Sequence, residues 1–215
     1  MSAKCKIMRL GRLDYDEAVK KQMELVERVQ ADRDLAYLIL VTHNNVFTLG
    51  RSAKRAHILV SDEALAKKGI VVREIKRGGD ITYHGPGQIV GYPILSLLRH
   101  GLQIRRYFLK LEDVLIRVLG RCGVGARHDE EYTGVWVGEE KIAALGVGVS
   151  RWVTFHGFAL NVNTDLSYFQ MIVPCGIGHK RVTSLAKLLG SPVNEDEVMG
   201  VIEEEFLKEF RMERQ

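Results

Sequence analysis

Seventeen consecutive residues, Arg77 to Pro93 (RGGDITYHGPGQIVGYP), contain five glycines and two prolines. Such a stretch is poor material for a core. Gly78-Gly79 and Gly85-Pro86-Gly87 accept backbone angles that residues with a Cβ avoid, and they let another molecule approach the main chain. An imidazole (His84), a carboxylate (Asp80), an amide (Gln88), a guanidinium (Arg77) and two phenols (Tyr83, Tyr92) lie among them. A plain hairpin has no use for that density of aimed polar groups. The stretch reads as a wall of backbone donors and side chains, hung between a strand at Ile70–Ile75 and another at Ile89–Tyr92.

The rest of the chain supplies the support. Residues 5–10 and Leu35–Val41 read as strands, with Val46–Leu49 leading to a second glycine-arginine corner at Gly50-Arg51. Asp14 with Glu17 three later has the spacing of a capping box. Tyr15, Ala18, Val19, Met23, Val26 and Val29 then share one helical face, which predicts a helix over Asp14–Gln30. Asp62–Lys68 is a short helix stopped by Gly69. Ile104, Tyr107, Phe108, Leu111, Val114, Leu115 and Val118 recur at three and four residues, so Ile104–Leu119 is a helix closed by Gly120. Val135–Val137 and Lys141–Val149 flank a hairpin turn, and Val153–Val162 is a further strand. Ser167–Pro174 reads as a loop or single helical turn. Asn194 and Glu197 cap a last helix carrying Val198, Val201, Ile202, Leu207 and Phe210. Helices and strands interleave without a regular βαβ rhythm, which predicts one α+β domain over 1–215 with a mixed or antiparallel sheet flanked by helices.

Composition narrows the function classes. No apolar run approaches the ~18 residues of a membrane span, so no membrane partner is expected. Three cysteines in no metal-ligand spacing suit a reducing cytoplasm better than a disulfide framework. A formal net charge of +4 suits an acidic protein partner; no basic stripe with interleaved aromatics points to nucleic acid. Zinc spacings, GxxxxGK[ST] and a helix-opening GxGxxG are missing from the sequence, so no metal or cofactor is expected.

Three cysteines are candidate nucleophiles. Cys5 reads as a small buried hydrophobe. Cys122 follows a helix and is the runner-up. Cys175 sits between Pro174 and Gly176, a corner that presents sulfur to a ligand, with His179, Lys180 and Arg181 close behind. A thiol of pKa about 8.5 needs a nearby cation or base to act as a nucleophile. Lys141 opens the otherwise apolar strand Ile142–Gly146; it is either a solvated end residue or a cation held over a pocket. His84 and His156 each adjoin a glycine, and each is either cleft-lining or a satisfied buried imidazole.

These segments, taken together, resemble the lipoyl(octanoyl) transferases. The resemblance is carried by Phe47–Arg51, RGGDITYHGPGQ at Arg77–Gln88, Gly134–Trp136, Lys141–Gly146, WVTFHGFALNVN at Trp152–Asn163, Pro174–Ile177 and Val182–Leu185, in the family's order. Asp80 and the basic run Gly178–Arg181 depart from the family pattern. The resemblance implies the catalytic fold of biotin and lipoate protein ligases. It implies Cys175 as the acyl-thioester nucleophile and Lys141 as the group that lowers its pKa. It maps substrate binding to Arg77, Gly78, Gly79, Asp80, Ile81, Thr82, Tyr83 and His84, to Ala144, Leu145 and Gly146, and to Gly157, Phe158 and Ala159. The implied donor is octanoyl-acyl carrier protein. The implied acceptors are lipoyl domains of 2-oxoacid dehydrogenases and the glycine cleavage H protein. Ile81, Leu145, Val147 and Phe158 are the expected walls of the octanoyl slot. The competing expectations are an ATP-dependent lipoate or biotin ligase on the same fold, a non-catalytic module that binds acylated carrier or lipoyl domain, and a cysteine hydrolase.

Overall fold

In Leu35–His43 every residue after the first is buried, and a strand buried on both faces must lie between two layers. The computed structural model describes residues 3–75, 77–173 and 181–215 and places this strand inside a large mixed sheet. The strands are β1 (Ala3–Leu13), β2 (Leu35–His43), β3 (Val46–Leu49), β4 (Val71–Glu74), β5 (Ile81–His84), β6 (Gln88–Ile94), β7 (Val135–Val137), β8 (Glu140–Ser150), β9 (Val153–Asn161), β10 (Arg181–Val182) and β11 (Met212–Arg214). The helices are α1 (Tyr15–Ala31), α2 (Asp62–Lys67), α3 (Ile104–Arg121), α4 (Leu185–Leu189) and α5 (Glu195–Phe210).

The main sheet runs β10-β8-β9-β6-β2-β1-β11, with β7 paired to β8. Its β2-β6-β9-β8 centre is antiparallel, and parallel pairs stand at both ends. A second sheet, β4-β3-β5, stands apart. The expected α+β fold with a mixed, helix-flanked sheet is the one observed. Along β2, Ala36, Leu38 and Leu40 join a core with α3 and α5, while Tyr37, Ile39 and Val41 join one with α1. The period-two alternation of side chains thus builds a layer on each face. Arg117 bridges Glu205 and Glu209, and Lys110 also reaches Glu209, so α5 is fastened along α3.

The glycine-rich stretch is the seam between the sheets. Its Ile81–His84 part is β5, an edge of the small sheet, and Gly85-Pro86-Gly87 turns the chain into β6 of the large one. Gly87 (φ +79°) has no room for a side chain: a Cβ there would stand 2.5 Å from the Asn163 carbonyl.

Three local expectations differ from the structure. Asp14 precedes α1 in an extended conformation, yet its side chain does not cap the helix. Its Oδ1 instead accepts from Asn44 Nδ2 at 2.6 Å, tying the start of α1 to the β2–β3 turn. Helix α3 continues through Gly120 to Arg121 and stops at Gly123, whose φ of +81° ends the turn. Helix α4 was not foreseen; the Ser184 hydroxyl accepts from the Lys187 N–H and starts it.

Candidate active site

A cavity of about 350 Å³ opens between the glycine-rich stretch and the β8–β9 ladder. From the expected site residues, Arg77, Gly78, Gly79, Asp80, Ile81, Thr82 and His84 line it, as do Lys141, Ala144, Leu145, Gly146, Gly157, Phe158 and Ala159. All four expected slot walls, Ile81, Leu145, Val147 and Phe158, are among the lining. Tyr83 is not. It stacks on Tyr168 with centroids 4.7 Å apart in the core of the small sheet, and its hydroxyl donates to Asn45 Oδ1 at 2.9 Å. Cys175 lies outside the described residues.

A buried polar chain crosses the seam. Arg77 Nη2 donates to the Thr48 carbonyl (2.9 Å) and to Thr48 Oγ1 (3.0 Å), while Nη1 donates to the Gly78 carbonyl (3.0 Å). Thr48 Oγ1 lies 3.5 Å from His84 Nε2, and His84 Nδ1 is 2.8 Å from Gln88 Oε1. The amide oxygen can only accept, so this network assigns the His84 proton to Nδ1. Gln88 Nε2 then donates to Asn161 Oδ1 (2.9 Å), and Asn161 Nδ2 to the Thr183 carbonyl (3.0 Å). These bonds fix the backbone of the small sheet's edge against β9. The close glycines follow from the same packing: a Cβ on Gly146 would stand 2.8 Å from Arg77 Cδ, and one on Gly50 would stand 2.3 Å from the Gly79 carbonyl oxygen.

Lys141 occupies the other end of the cavity. Its Nζ donates to the Thr133 carbonyl at 3.0 Å and sits 4.9 Å from the Trp136 ring centroid. That arrangement depends on Gly134 (φ +136°), where a Cβ would meet the Ala143 carbonyl oxygen at 2.8 Å and Lys141 Cε at 3.1 Å. The Gly134 N–H in turn donates to the buried carboxylate of Glu112 on α3 at 2.8 Å. His128 donates to Glu112 Oε2 and Asp113 Oδ1, both at 2.9 Å. Burial lowers the His128 pKa, but the two carboxylates outweigh it and raise it overall. Lys141 is therefore a cation over a pocket, aimed from outside its own strand.

Asp80 has a partner that the sequence did not suggest. Its Oδ1 accepts from His57 Nδ1 (2.8 Å) and from the Ile81 N–H (2.7 Å). The His57 carbonyl accepts from the Val173 N–H at 2.8 Å, while Val182 pairs with Lys141.

A family model described as the lipoyl protein ligase A/B catalytic domain matches residues 14–207. The chain belongs to that family. Two relatives, each named octanoyltransferase, come from Caldicellulosiruptor bescii (46% identical, covering 94% of this chain and 89% of the relative) and Solibacter usitatus (49%, covering 90% and 87%). Solved structures share the fold. A putative lipoate protein ligase from T. acidophilum with bound lipoic acid is 18% identical, covers 99% of this chain and 88% of its own, and has a TM-score of 0.76. The biotin protein ligase of Aquifex aeolicus, in complex with biotin and ATP, is 15% identical at a TM-score of 0.57, covering 96% of this chain and 70% of its own.

In this lipoyl protein ligase A/B domain the described thiols are unsuited to attack. Cys5 is fully buried, which pushes its pKa up to about 12, and burial also raises that of Cys122. The domain also brings in residues that sequence reading missed. Tyr15, assigned there to a core face, lines the cavity, as does Tyr92, which the sequence placed in the glycine-rich wall but not among the substrate-binding residues. Glu112 carried a signal: an acid between Leu111 and Val114 in the apolar stripe of α3 has to be paired when buried.

The family domain's cavity is flanked by neutral imidazoles. Burial, helped by the neighbouring His43 and Arg77, lowers His84 to about 3. Burial and then the Arg77 charge lower His156 to about 4. Both values lie below the unfolded value of about 6.5, so the native state binds fewer protons than the unfolded state in between. Their contribution to stability is complete above about pH 6.5 and is lost as pH falls through 4 and then 3. Unfolding at pH 5 is expected to take up about two protons from this pair. Calorimetry in buffers of different ionisation enthalpy measures the uptake; a value unchanged in His156→Asn contradicts the assignment.

Proposed function

We propose that the chain is an octanoyltransferase that moves an octanoyl group from octanoyl-acyl carrier protein to a specific lysine of a lipoyl domain, the first step of protein lipoylation. The observation that carries this reading is identity of 46% and 49% to relatives named octanoyltransferase over nearly the whole chain, against 18% to a lipoate ligase of the same fold. The site chemistry agrees. An ammonium stands at one end of a cavity whose walls include Ile81, Leu145, Val147 and Phe158. Among the described residues, no helix is long and apolar enough to cross a membrane.

Cys175 is the proposed nucleophile, from its place in the family motif. The Lys141 ammonium favours the thiolate, which attacks the thioester carbonyl carbon. The tetrahedral adduct expels the carrier thiolate, which takes up a proton, and the acyl group remains on Cys175. The acceptor lysine then attacks as a neutral amine. Once Cys175 is esterified, Lys141 releases its own proton to solvent; as a neutral amine it then takes the proton of the attacking lysine as the C–N bond forms and the Cys175 thiolate leaves. Thioester and amine become amide and thiol. The acyl group arrives activated, so the sequence needs no ATP. The apolar walls hold the tail at about 0.8 kcal/mol per buried methylene.

Incubation with octanoyl-acyl carrier protein alone is expected to add one octanoyl mass to the wild-type protein and none to Cys175→Ser. A lipoyl domain added afterwards takes the mass over. Acylation of that domain from free octanoate only with ATP and Mg²⁺ would instead establish the ligase reading. Release of octanoate would establish a hydrolase, and binding without any mass change a carrier module.

A further inference from the structure

Lys141 carries its charge on a flexible four-carbon stem, so the charge acts at one place only if something outside the stem fixes it. The fixing group is a single peptide. The Thr133 carbonyl receives Lys141 Nζ at 3.0 Å, and the Gly134 N–H donates to Glu112 Oε1 at 2.8 Å. That carbonyl and that N–H belong to one planar trans unit and point in opposite directions. The carboxylate therefore stands behind the peptide and the ammonium in front of it. The plane cannot turn without breaking both bonds.

The carboxylate is itself fixed. Glu112 lies on α3 beside Leu111 and Val114, both fully buried. Its second oxygen, Oε2, faces His128 Nδ1 at 2.9 Å, and His128 Nε2 faces Asp113 Oδ1 at 2.9 Å. With a carboxylate at each ring nitrogen, both nitrogens donate and the ring is an imidazolium. Stability alone does not call for an acid here. Hydrophobic residues of similar volume commonly serve a core as well as a buried ion pair, or better. What the acid supplies is the direction of one carbonyl. Gly134 is buried and precedes β7, so its N–H lies outside the pairing of β7 with β8.

Hydrogen bonds in series polarise one another. A carboxylate at the N–H end makes the carbonyl a stronger acceptor for an ammonium. The bond also outlasts deprotonation, because a neutral amine still donates an N–H to the carbonyl, and its lone pair is then turned away from Thr133. We propose that Glu112 is a positioning residue for acyl transfer: through the Thr133–Gly134 peptide it fixes where Lys141 stands in both half-reactions. The proposal rests on the octanoyl-transfer reading above and adds the group that aims its acid–base residue.

The test compares two substitutions of equal length. Glu112→Gln keeps an oxygen that accepts from Gly134; Glu112→Met does not. Glu112→Met should lower kcat for transfer to the lipoyl domain about 10- to 100-fold, the scale of an ångström's misplacement, with KM for octanoyl-acyl carrier protein little changed. It should also move the reactive thiol's alkylation profile to higher pH. Glu112→Gln should recover most of both. If circular dichroism finds Glu112→Met unfolded, Glu112→Asp takes its place. Its carboxylate is drawn back by about 1.5 Å, beyond hydrogen-bond reach of Gly134, and the same two changes are expected at smaller size. A folded Glu112→Met or Glu112→Asp with wild-type rate and profile overturns the proposal and leaves octanoyl transfer standing. Equal losses in Glu112→Gln and Glu112→Met also overturn it, since the acceptor oxygen is then not what matters. A wild-type protein that transfers no octanoyl group overturns the parent reading and this role with it.

Discussion

Lys141→Ala is expected to lower octanoyl transfer by about 10²- to 10⁴-fold, the usual range for a lost acid–base group, and to move the reactive thiol's alkylation profile to higher pH. The ammonium is held by the Thr133 carbonyl and the Trp136 face, both on the β7 side of the strand. Its stem packs where a Gly134 side chain would stand. Removing it deletes the cation without opening a core, so the melting temperature should hardly change. Lys141→Arg separates the two roles. A guanidinium still favours a thiolate but cannot give up its proton at working pH. Acyl-enzyme should therefore form, while transfer to the lipoyl domain stalls. Intact mass resolves the two half-reactions, and alkylation against pH reports the thiol. The signal is separable because the Cys5 and Cys122 thiols are both held above the usual range by burial. An alkylation curve identical in wild type and Lys141→Ala would remove Lys141 from the mechanism.

Gly157→Ala should destabilise the fold by about 3 kcal/mol, the upper end for overpacking a tight interior. For a chain of this size that is roughly 6–12 °C in melting temperature. The new Cβ would stand 2.3 Å from the Gly91 carbonyl oxygen and 2.6 Å from Pro93 Cδ. Both are on β6, and the closer contact is with backbone, so β6 and β9 would have to part. Gly120→Ala is the control: nothing lies within 4 Å of its Cβ, and the residue is helical. It should be neutral or slightly stabilising, since alanine is the better helix former by about 1 kcal/mol. Thermal unfolding of both variants decides the matter; equal melting temperatures would mean that the strands accommodate the methyl group.

The legible parts of the sequence are those in which local pattern and tertiary role coincide. The stripe of α3, the β7–β8 hairpin and the doubly buried β2 each carry their own period. The site was legible for a different reason. Glycines forced by close approach, at Gly146 and Gly157, sit beside polar side chains that no core requires. What stayed hidden depends on a partner distant in sequence. Asp14 has the spacing of a cap, but Asn44 offers its side chain a better bond. Tyr83 shares a segment with cavity residues, yet its place in a four-residue strand turns it into the small sheet's core. Glu112 and His57 act through bonds to Gly134 and Asp80, 22 and 23 residues away, and no local period records them.

The two ends of the cavity answer to different helices. Glu112 of α3 secures the loop that aims Lys141, whereas Gln22 of α1 holds the His156 backbone and Tyr15 of α1 lines the cavity. These helices lie on opposite faces of the large sheet, in separate cores. Substitutions in α1 therefore reach the His156 side of the cavity without touching the bonds that hold Lys141.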